Sequence, residues 1–479
     1  MIRYINRYIM ILGLVLCVGT VQAQCRLLHG KVSCKGKGLA NVIVTDGSIC
    51  INTNERGEYS FQSVNKDGFV YISIPAGYVT DIEKGTIPLF YKKIEQDQDV
   101  YNFELIKNPK EDTRHTFFVH ADVQVTALSD LEKYKNIVND CKQLMRDYSS
   151  HDTFGVDCGD IVGDSPFLFP EYINTIKEIG YPVFRAIGNH DMDYYGRSHE
   201  TSDHTFSNYF GPTHYSFNKG NAHYIIVNNN FYIGRDYFYM GYIDEKTFTW
   251  LEQDLANVPK GSLVFLIMHI PGRLKDKQTQ FQYNYDLIAD QTINFGALSE
   301  MMKPYQAHII SGHMHYNLNI EHSPNLIEHN TAAICGTWWR GEICLDGTPQ
   351  GYAVYEVDGN DVKWYYKGSG YKKEYQFRGY PVGTSAEYPF DIIVNVWNYD
   401  PTWKVEWLEN GKVMGSLQKY TGFDPDAEIL CADKKKVVYD WILPIKNEHM
   451  FRAKPQNPKA KIEVRVTDRF GQVYTDVIK

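Results

Sequence analysis

The chain has 479 residues, too many for one ordinary core, and its 43% hydrophobic and 14% aromatic content excludes a disordered protein. A formal charge of -9 argues against a general electrostatic grip on nucleic acid or an anionic membrane, so specific nucleic-acid binding is not expected and an anionic substrate must be captured locally.

The first residues, "MIRYINRYIMILGLVLCVGTVQAQC", carry Arg3 and Arg7, an apolar stretch to about Gly19, and small residues around Ala23. This pattern reads as a secretory signal over 1–23, implying an exported, periplasmic or extracellular protein with no transmembrane segment in the mature chain. Eight cysteines remain beyond Cys17, and export would permit disulfides. Cys335 and Cys344 are the closest plausible pair outside the N-terminal segment. No CxxC is present, which argues against a thiolate zinc site.

From 24 to 107, β-rich runs alternate with Gly, Asn and Asp, and "VYISIP" places Val70, Ile72 and Ile74 on one face. A small β-sandwich is expected. The stretch "GKGLANVIVTDGSICINTNERGEYSF" resembles the carboxypeptidase-regulatory-like module, which implies a scaffold rather than chemistry.

Between 112 and 375 strands and helices alternate. Strands are expected over "TFFVHAD", "TFGVDCGD", "YPVFRAIGNHD", "AHYIIVNNN", "SLVFLIMHIP" and "AHIISGHMH". A helix over "SDLEKYKNIVNDCKQLMRDY" opens with Ser129 and Glu132 as a capping box and buries Leu131, Tyr134, Ile137, Val138, Cys141, Leu144 and Met145. Further helices are expected over "PEYINTIKEIG", "DEKTFTWLEQDLANV" and "INFGALSEMMKPY". The fold class is therefore α/β, with its site beyond the carboxyl ends of the strands. From 380 to 479 a second β domain follows, with a hairpin at Asn410-Gly411 and Ile462, Val464 and Val466 on one face.

Those strand ends share a chemistry. They present Asp122 and Gln124, Asp160, Asn189 and His190, His269, and finally His313 and His315. Each alone reads as a turn residue or a core histidine, but independent turn residues have no reason to gather on one edge. In an extended segment residues i and i+2 share a face, so His313 and His315 would converge on one object.

The order D-x-Q, G-D, G-N-H-D, H and G-H-x-H resembles the calcineurin-like metallophosphoesterases, in an exported bacterial branch with N- and C-terminal accessory β domains. The resemblance implies layered mixed sheets flanked by two β-sandwich-like domains, and two divalent metal ions (Mn, Fe, Zn or Mg) about 3.5 to 4 Å apart. Asp160 would bridge them, Asp122 and His315 would complete one ion, and Asn189, His269 and His313 would hold the other. A metal-activated hydroxide would attack a phosphomonoester or phosphodiester, while His190, oriented by Asp191 or Asp164, assists the leaving group. Gln124 stands where a histidine is usual; its harder oxygen suits Mn or Mg better than Zn, and His120 is a candidate replacement although a lone strand histidine is commonly structural. Near the mouth, Arg340 is a candidate for a phosphate oxygen and Trp338 or Trp339 for a pocket wall.

Gln124 is also the one feature favouring a binding or scaffold protein with a degraded site. An amidohydrolase is disfavoured because its His-x-His pair comes early, whereas here it comes last.

Overall fold

The computed structural model describes residues 25–65, 68–236, 238–274 and 288–478. The signal segment expected over 1–23 lies outside them. No helix among the described residues is long and apolar enough to cross a membrane.

Two sheets face each other at the centre. The first runs in the order Val183–Ala186, Asp152–Cys158, Arg114–His120, Gly351–Asp358 and Asp361–Gly368. Its first three strands are parallel, and the last two form an antiparallel hairpin. The second sheet runs Tyr215–Lys219, Ala222–Ile226, Leu263–Ile267, Gln306–Ser311, Leu326–Asn330 and Leu318–Ser323, and it is parallel across its middle strands.

Alternation along each strand explains the layering. Phe117 and Val119 point between the sheets and join Phe154, Tyr224, Phe265 and Tyr355 in one aromatic core. Phe117 stacks on Tyr355 with centroids 4.8 Å apart, and Tyr224 on Phe265 at 4.9 Å. Phe118 points the other way, into a core shared with the helices Leu128–Met145 and Phe169–Ile176. On the far side Ile225, Val264, Leu266 and Ile309 pack against Glu245–Leu255 and Phe295–Met302. The result is a mixed α/β fold of four layers, helix on sheet on sheet on helix.

Strand-rich segments flank it. Between residues 25 and 107 lie two four-stranded sheets and two two-stranded ones. There "VYISIP" does not alternate in burial: Tyr71 and Ser73 are as buried as Val70, Ile72 and Ile74. The reason is that its second face meets the central fold, where Ser216 Oγ donates to Ser73 Oγ at 2.8 Å and Tyr71 packs edge-on to His214. Toward the C-terminus two further four-stranded sheets enclose Val394, Trp403, Trp407, Phe451 and Val464. Asn410 and Gly411 form the tight turn between Lys404–Glu409 and Lys412–Ser416, both with positive φ (49° and 83°), as a twisted two-residue hairpin requires.

One local expectation is corrected. The helix Leu128–Met145 is not capped by Ser129 and Glu132; the Asp130 carboxylate instead accepts from the amides of Thr126 (3.0 Å) and Ala127 (3.1 Å). Asp130 sits where both amides fall within reach of one carboxylate, so it satisfies donors that a Ser129 cap would leave open.

Candidate metal centre

The parallel strands of both sheets end on the same side, and the loops that follow carry the chemistry. Asp160 is buried two residues after Asp152–Cys158. Its Oδ1 accepts from the His190 amide at 2.8 Å, and its Oδ2 lies 2.8 Å from Gln124 Nε2 and 3.2 Å from His269 Nε2. Asp122, also buried, accepts from the His313 amide at 2.9 Å and faces His315 Nε2 at 3.5 Å. Asp122, Gln124, Asp160, Asn189, His269, His313 and His315 therefore form one cluster.

His313 and His315 arrive there by a route the alternation argument does not describe. Their strand ends at Ser311, and both residues lie beyond it with φ of 71° and 56°. Two left-handed residues, not an extended run, turn the imidazoles inward. Such backbone is unusual for side chains with a Cβ, and of the thirteen described non-glycine residues with positive φ, eight border this cluster: Asp122, Gln124, Asp160, Asp164, His313, His315, Trp338 and Trp339. Strain of this kind, concentrated at one place, marks a functional site. The glycines serve close approach: a Cβ on Gly188 would stand 2.2 Å from Asp160 Oδ1, and one on Gly159 2.6 Å from His269 Nδ1.

The donor set fits a cation. His269 Nδ1 lies 2.8 Å from the Cys158 carbonyl, which accepts only, so that nitrogen carries a proton and, in the neutral ring, Nε2 presents a lone pair. That lone pair faces Asn189 Oδ1 at 3.0 Å, Asp160 Oδ2 at 3.2 Å and His313 Nδ1 at 3.3 Å. Four lone pairs aimed at one point repel unless something positive stands among them. Asp160, His269 and His313 each offer a ligand atom, all within 4.8 Å of one another.

The electrostatics of the bare residues give the same message. Burial pushes the Asp160 carboxyl up, but the imidazoles of His269, His190 and His313 outweigh it and hold it well below the usual carboxylate range. Burial lowers His269, and the Asp160 charge overcomes this and lifts it to about 9. Burial and the neighbouring His269 push His313 down to about 3. A carboxylate that strongly favours its charged form beside crowded imidazoles is a site that stabilises positive charge, supplied by a proton or by a metal ion.

His190 stands apart from this donor set. Its Nδ1 pairs with Asp164 Oδ1 at 2.7 Å, and its side chain is 33% exposed. Asp191 works differently, since its carboxylate accepts from the Val162 amide at 3.0 Å and the Gly188 amide at 2.9 Å and so ties two cluster loops together. Between the two candidate partners of His190, the geometry selects Asp164.

The remaining candidates take separate places, and His120 has the structural position that a lone strand histidine commonly has. His120 is wholly buried in the helix-facing layer, with Nδ1 2.9 Å from the Tyr134 hydroxyl. Arg340 is exposed, in a groove with Lys133, Asn136, Gln143, Glu342 and Tyr371. None of those is a cluster residue, so Arg340 borders a different depression. Cys335 and Cys344 are both free thiols. The Cys335 backbone amide bonds the Asp122 carbonyl at 3.2 Å, and this pairing turns its Sγ toward Gln124 Oε1 (3.9 Å) and His315 Nδ1 (3.8 Å) rather than toward Cys344.

Sequence reasoning missed Cys335 as a neighbour of the cluster and Trp338 as the ring stacked on His315, with centroids 4.3 Å apart. The strand-like pairing of 334–335 with 121–122 brings both in, and Trp339 Nε1 fixes the loop by donating to the Val123 carbonyl at 2.9 Å. The "TWWR" run signalled the place without the partner.

Comparison with family models agrees along most of the described length. Residues 26–108 match the N terminal of calcineurin-like phosphoesterase, 115–317 calcineurin-like phosphoesterase itself, and 328–474 the C terminal of calcineurin-like phosphoesterase. The chain belongs to the calcineurin-like phosphoesterases. It is therefore a metal-dependent phosphoric ester hydrolase.

Among solved structures, this calcineurin-like phosphoesterase is similar to a dimetal phosphatase from Danio rerio, at 14% identity and TM-score 0.38, over 53% of this chain and 96% of that one. It is similar to the purple acid phosphatase PPD1 from yellow lupin (Lupinus luteus) seeds, at 12% identity and TM-score 0.37, over 72% of each chain. It also resembles a 5'-nucleotidase from Candida albicans, at 12% identity and TM-score 0.33, over 55% of this chain and 53% of that one. Comparison with curated proteins gives no match.

Proposed function

We propose that this phosphoesterase works with two divalent ions in the cluster, one held by Asp122, Gln124 and His315 and the other by Asn189, His269 and His313, with Asp160 shared. The observation that carries this reading is the convergence on His269 Nε2 of donor atoms from Asn189, Asp160 and His313 within 3.3 Å. Divalent ions held by these residues would supply Lewis acidity toward a phosphoryl group and would lower the pKa of water toward about 7.

The remaining work falls to the chain. Cys158 fixes the tautomer of His269 through its carbonyl, so Nε2 stays free to ligate. Asn189 contributes a neutral oxygen, which limits the negative charge facing an anionic ester. His190, with Nδ1 committed to Asp164, carries a transferable proton on Nε2 and delivers it to the leaving alkoxide. Burial lowers the His190 pKa, but the charges of Asp160 and Asp164 outweigh it and raise the group above its ordinary value, which favours the acid form.

The substrate is a phosphomonoester or phosphodiester, for the ligands define the phosphoryl centre and not the group attached to it. The protein is read as exported, with 24–107 and 380–479 as β domains flanking a catalytic domain over 112–375. The test is metal content with turnover. Purified protein dialysed against Mn should retain two ions per chain and cleave p-nitrophenyl phosphate or bis-p-nitrophenyl phosphate, and Asp160→Asn should lose both properties. Full turnover in Asp160→Asn would refute the shared-ligand role.

A further inference from the structure

The segment from Ile429 to Lys446 has two unlike faces. Its inner face is complete: Cys431, Val437 and Ile442 are buried together, with Leu430, Leu345 and Trp338 packed on them. The close seat of Leu430 on Gly341, where a Cβ would stand 2.4 Å from Leu430 Cδ2, leaves no slack there. The outer face is apolar as well. Ile429, Val438, Tyr439, Trp441 and Leu443 are 44 to 67% exposed. Single exposed apolar side chains are ordinary, but five within one short segment are a concentration that the core does not require.

The segment adjoins the cluster. Trp338 stacks on His315, Trp441 meets Trp338 edge-on at 4.9 Å and 82°, and Tyr439 stacks on Trp441 at 5.5 Å. The outer aromatic surface thus begins two ring contacts from a cluster imidazole. A run of exposed lysines, Lys434, Lys435 and Lys436, precedes Tyr439 and Trp441 in a protein of net charge -9; Lys434 pairs with Asp440 at 3.6 Å, Lys446 is exposed further on, and the exposed Glu428 and Glu448 flank the segment.

We propose that this face seats the protein on an anionic lipid surface, with the mouth of the cluster opening at the interface. Tryptophan and tyrosine favour the headgroup level, exposed aliphatic side chains enter the acyl boundary, and lysines meet anionic headgroups. A protein partner fits less well, since lysine is depleted from the centres of protein interfaces. Resting on the two-ion reading above, the substrate class follows: an amphiphilic phosphoester drawn from that surface.

The test is flotation of the full chain with vesicles of phosphatidylcholine, with and without phosphatidylglycerol. The protein should float with the phosphatidylglycerol vesicles, release as salt is raised, and show a blue shift of tryptophan emission. Trp441→Ser with Leu443→Ser should weaken partition at least about tenfold, and replacing Lys434, Lys435 and Lys436 by Gln should remove the preference for anionic vesicles. These side chains are exposed, so an unchanged unfolding midpoint excludes misfolding as the cause. Failure of the wild type to float, equal flotation of the serine variant, or a dimer that Trp441→Ser dissociates would each overturn the proposal. Flotation requires no turnover, so its outcome is separable from that of the phosphoesterase test.

Discussion

The Nδ1 atom of His190 lies 2.7 Å from Oδ1 of Asp164, and this one pair turns the His190 side chain away from the donor atoms gathered at Asp160. Asp160 receives the His190 backbone amide, so the backbone of the residue joins the cluster while its side chain faces Asp164. Replacing His190 by Ala should lower kcat by about 10² to 10⁴ on an alkyl phosphoester, whose leaving group needs a proton. The loss should be much smaller on p-nitrophenyl phosphate, whose leaving group does not. Equal losses on both substrates would place His190 in ground-state structure instead.

Asp164→Asn keeps shape and removes charge. A loss about tenfold smaller than that of His190→Ala is expected, with the same dependence on the leaving group and unchanged metal content. A fall in metal content would show that Asp164 supports the donor set and not the proton.

On the two-ion proposal Gln124 turns an amide oxygen to the first ion where an imidazole is usual; without an ion its Nε2 faces Asp160 Oδ2 at 2.8 Å. Gln124→His should slow release of one of the two ions to a chelator and shift preference toward Zn, because imidazole is the softer donor. The measurement is metal content over time in chelator dialysis. Identical release curves for variant and wild type would mean Gln124 touches no ion.

Acid should destabilise the fold before it titrates most carboxylates. Burial pushes His115, His214 and His308 each down to about 4. Unfolded histidine protonates near 6.5, so between 6.5 and 4 the unfolded chain binds more protons, and stability present above 6.5 is lost as pH falls toward 4. Each group contributes on the order of 1.4 kcal/mol per pH unit across that window. Asp157 and Asp191, raised to about 6 and about 7 chiefly by burial, act in the opposite sense, while His120, pushed down to about 3 by burial, adds to the three histidines. Urea midpoints measured from pH 7 to 4.5 should fall, and His115→Asn should flatten the slope even as it lowers the plateau. A midpoint independent of pH would contradict the buried neutral state of these histidines.

The layered fold was legible because a strand such as Leu263–Ile267, covered on both faces, reads as an unbroken apolar run, while the helices keep a 3.6-residue stripe. The donor residues were legible because each follows the end of a strand. What sequence periodicity does not encode is direction after the strand stops. His313 and His315 reach the cluster through left-handed backbone, Asp164 and not Asp191 meets His190, and Asp130 rather than Ser129 caps a helix. Contacts across large separations were hidden altogether: Trp338 on His315 and Trp441 depend on how the 331–340 loop pairs with residues 121–122, and no local pattern states that.

The most direct measurement is an anomalous difference map from a crystal of the full chain grown with Mn. Two peaks should flank the Asp160 carboxylate, one bounded by Asp122, Gln124 and His315, the other by Asn189, His269 and His313. A single peak, or strong peaks only at sites remote from Asp160, would contradict the paired-ion account.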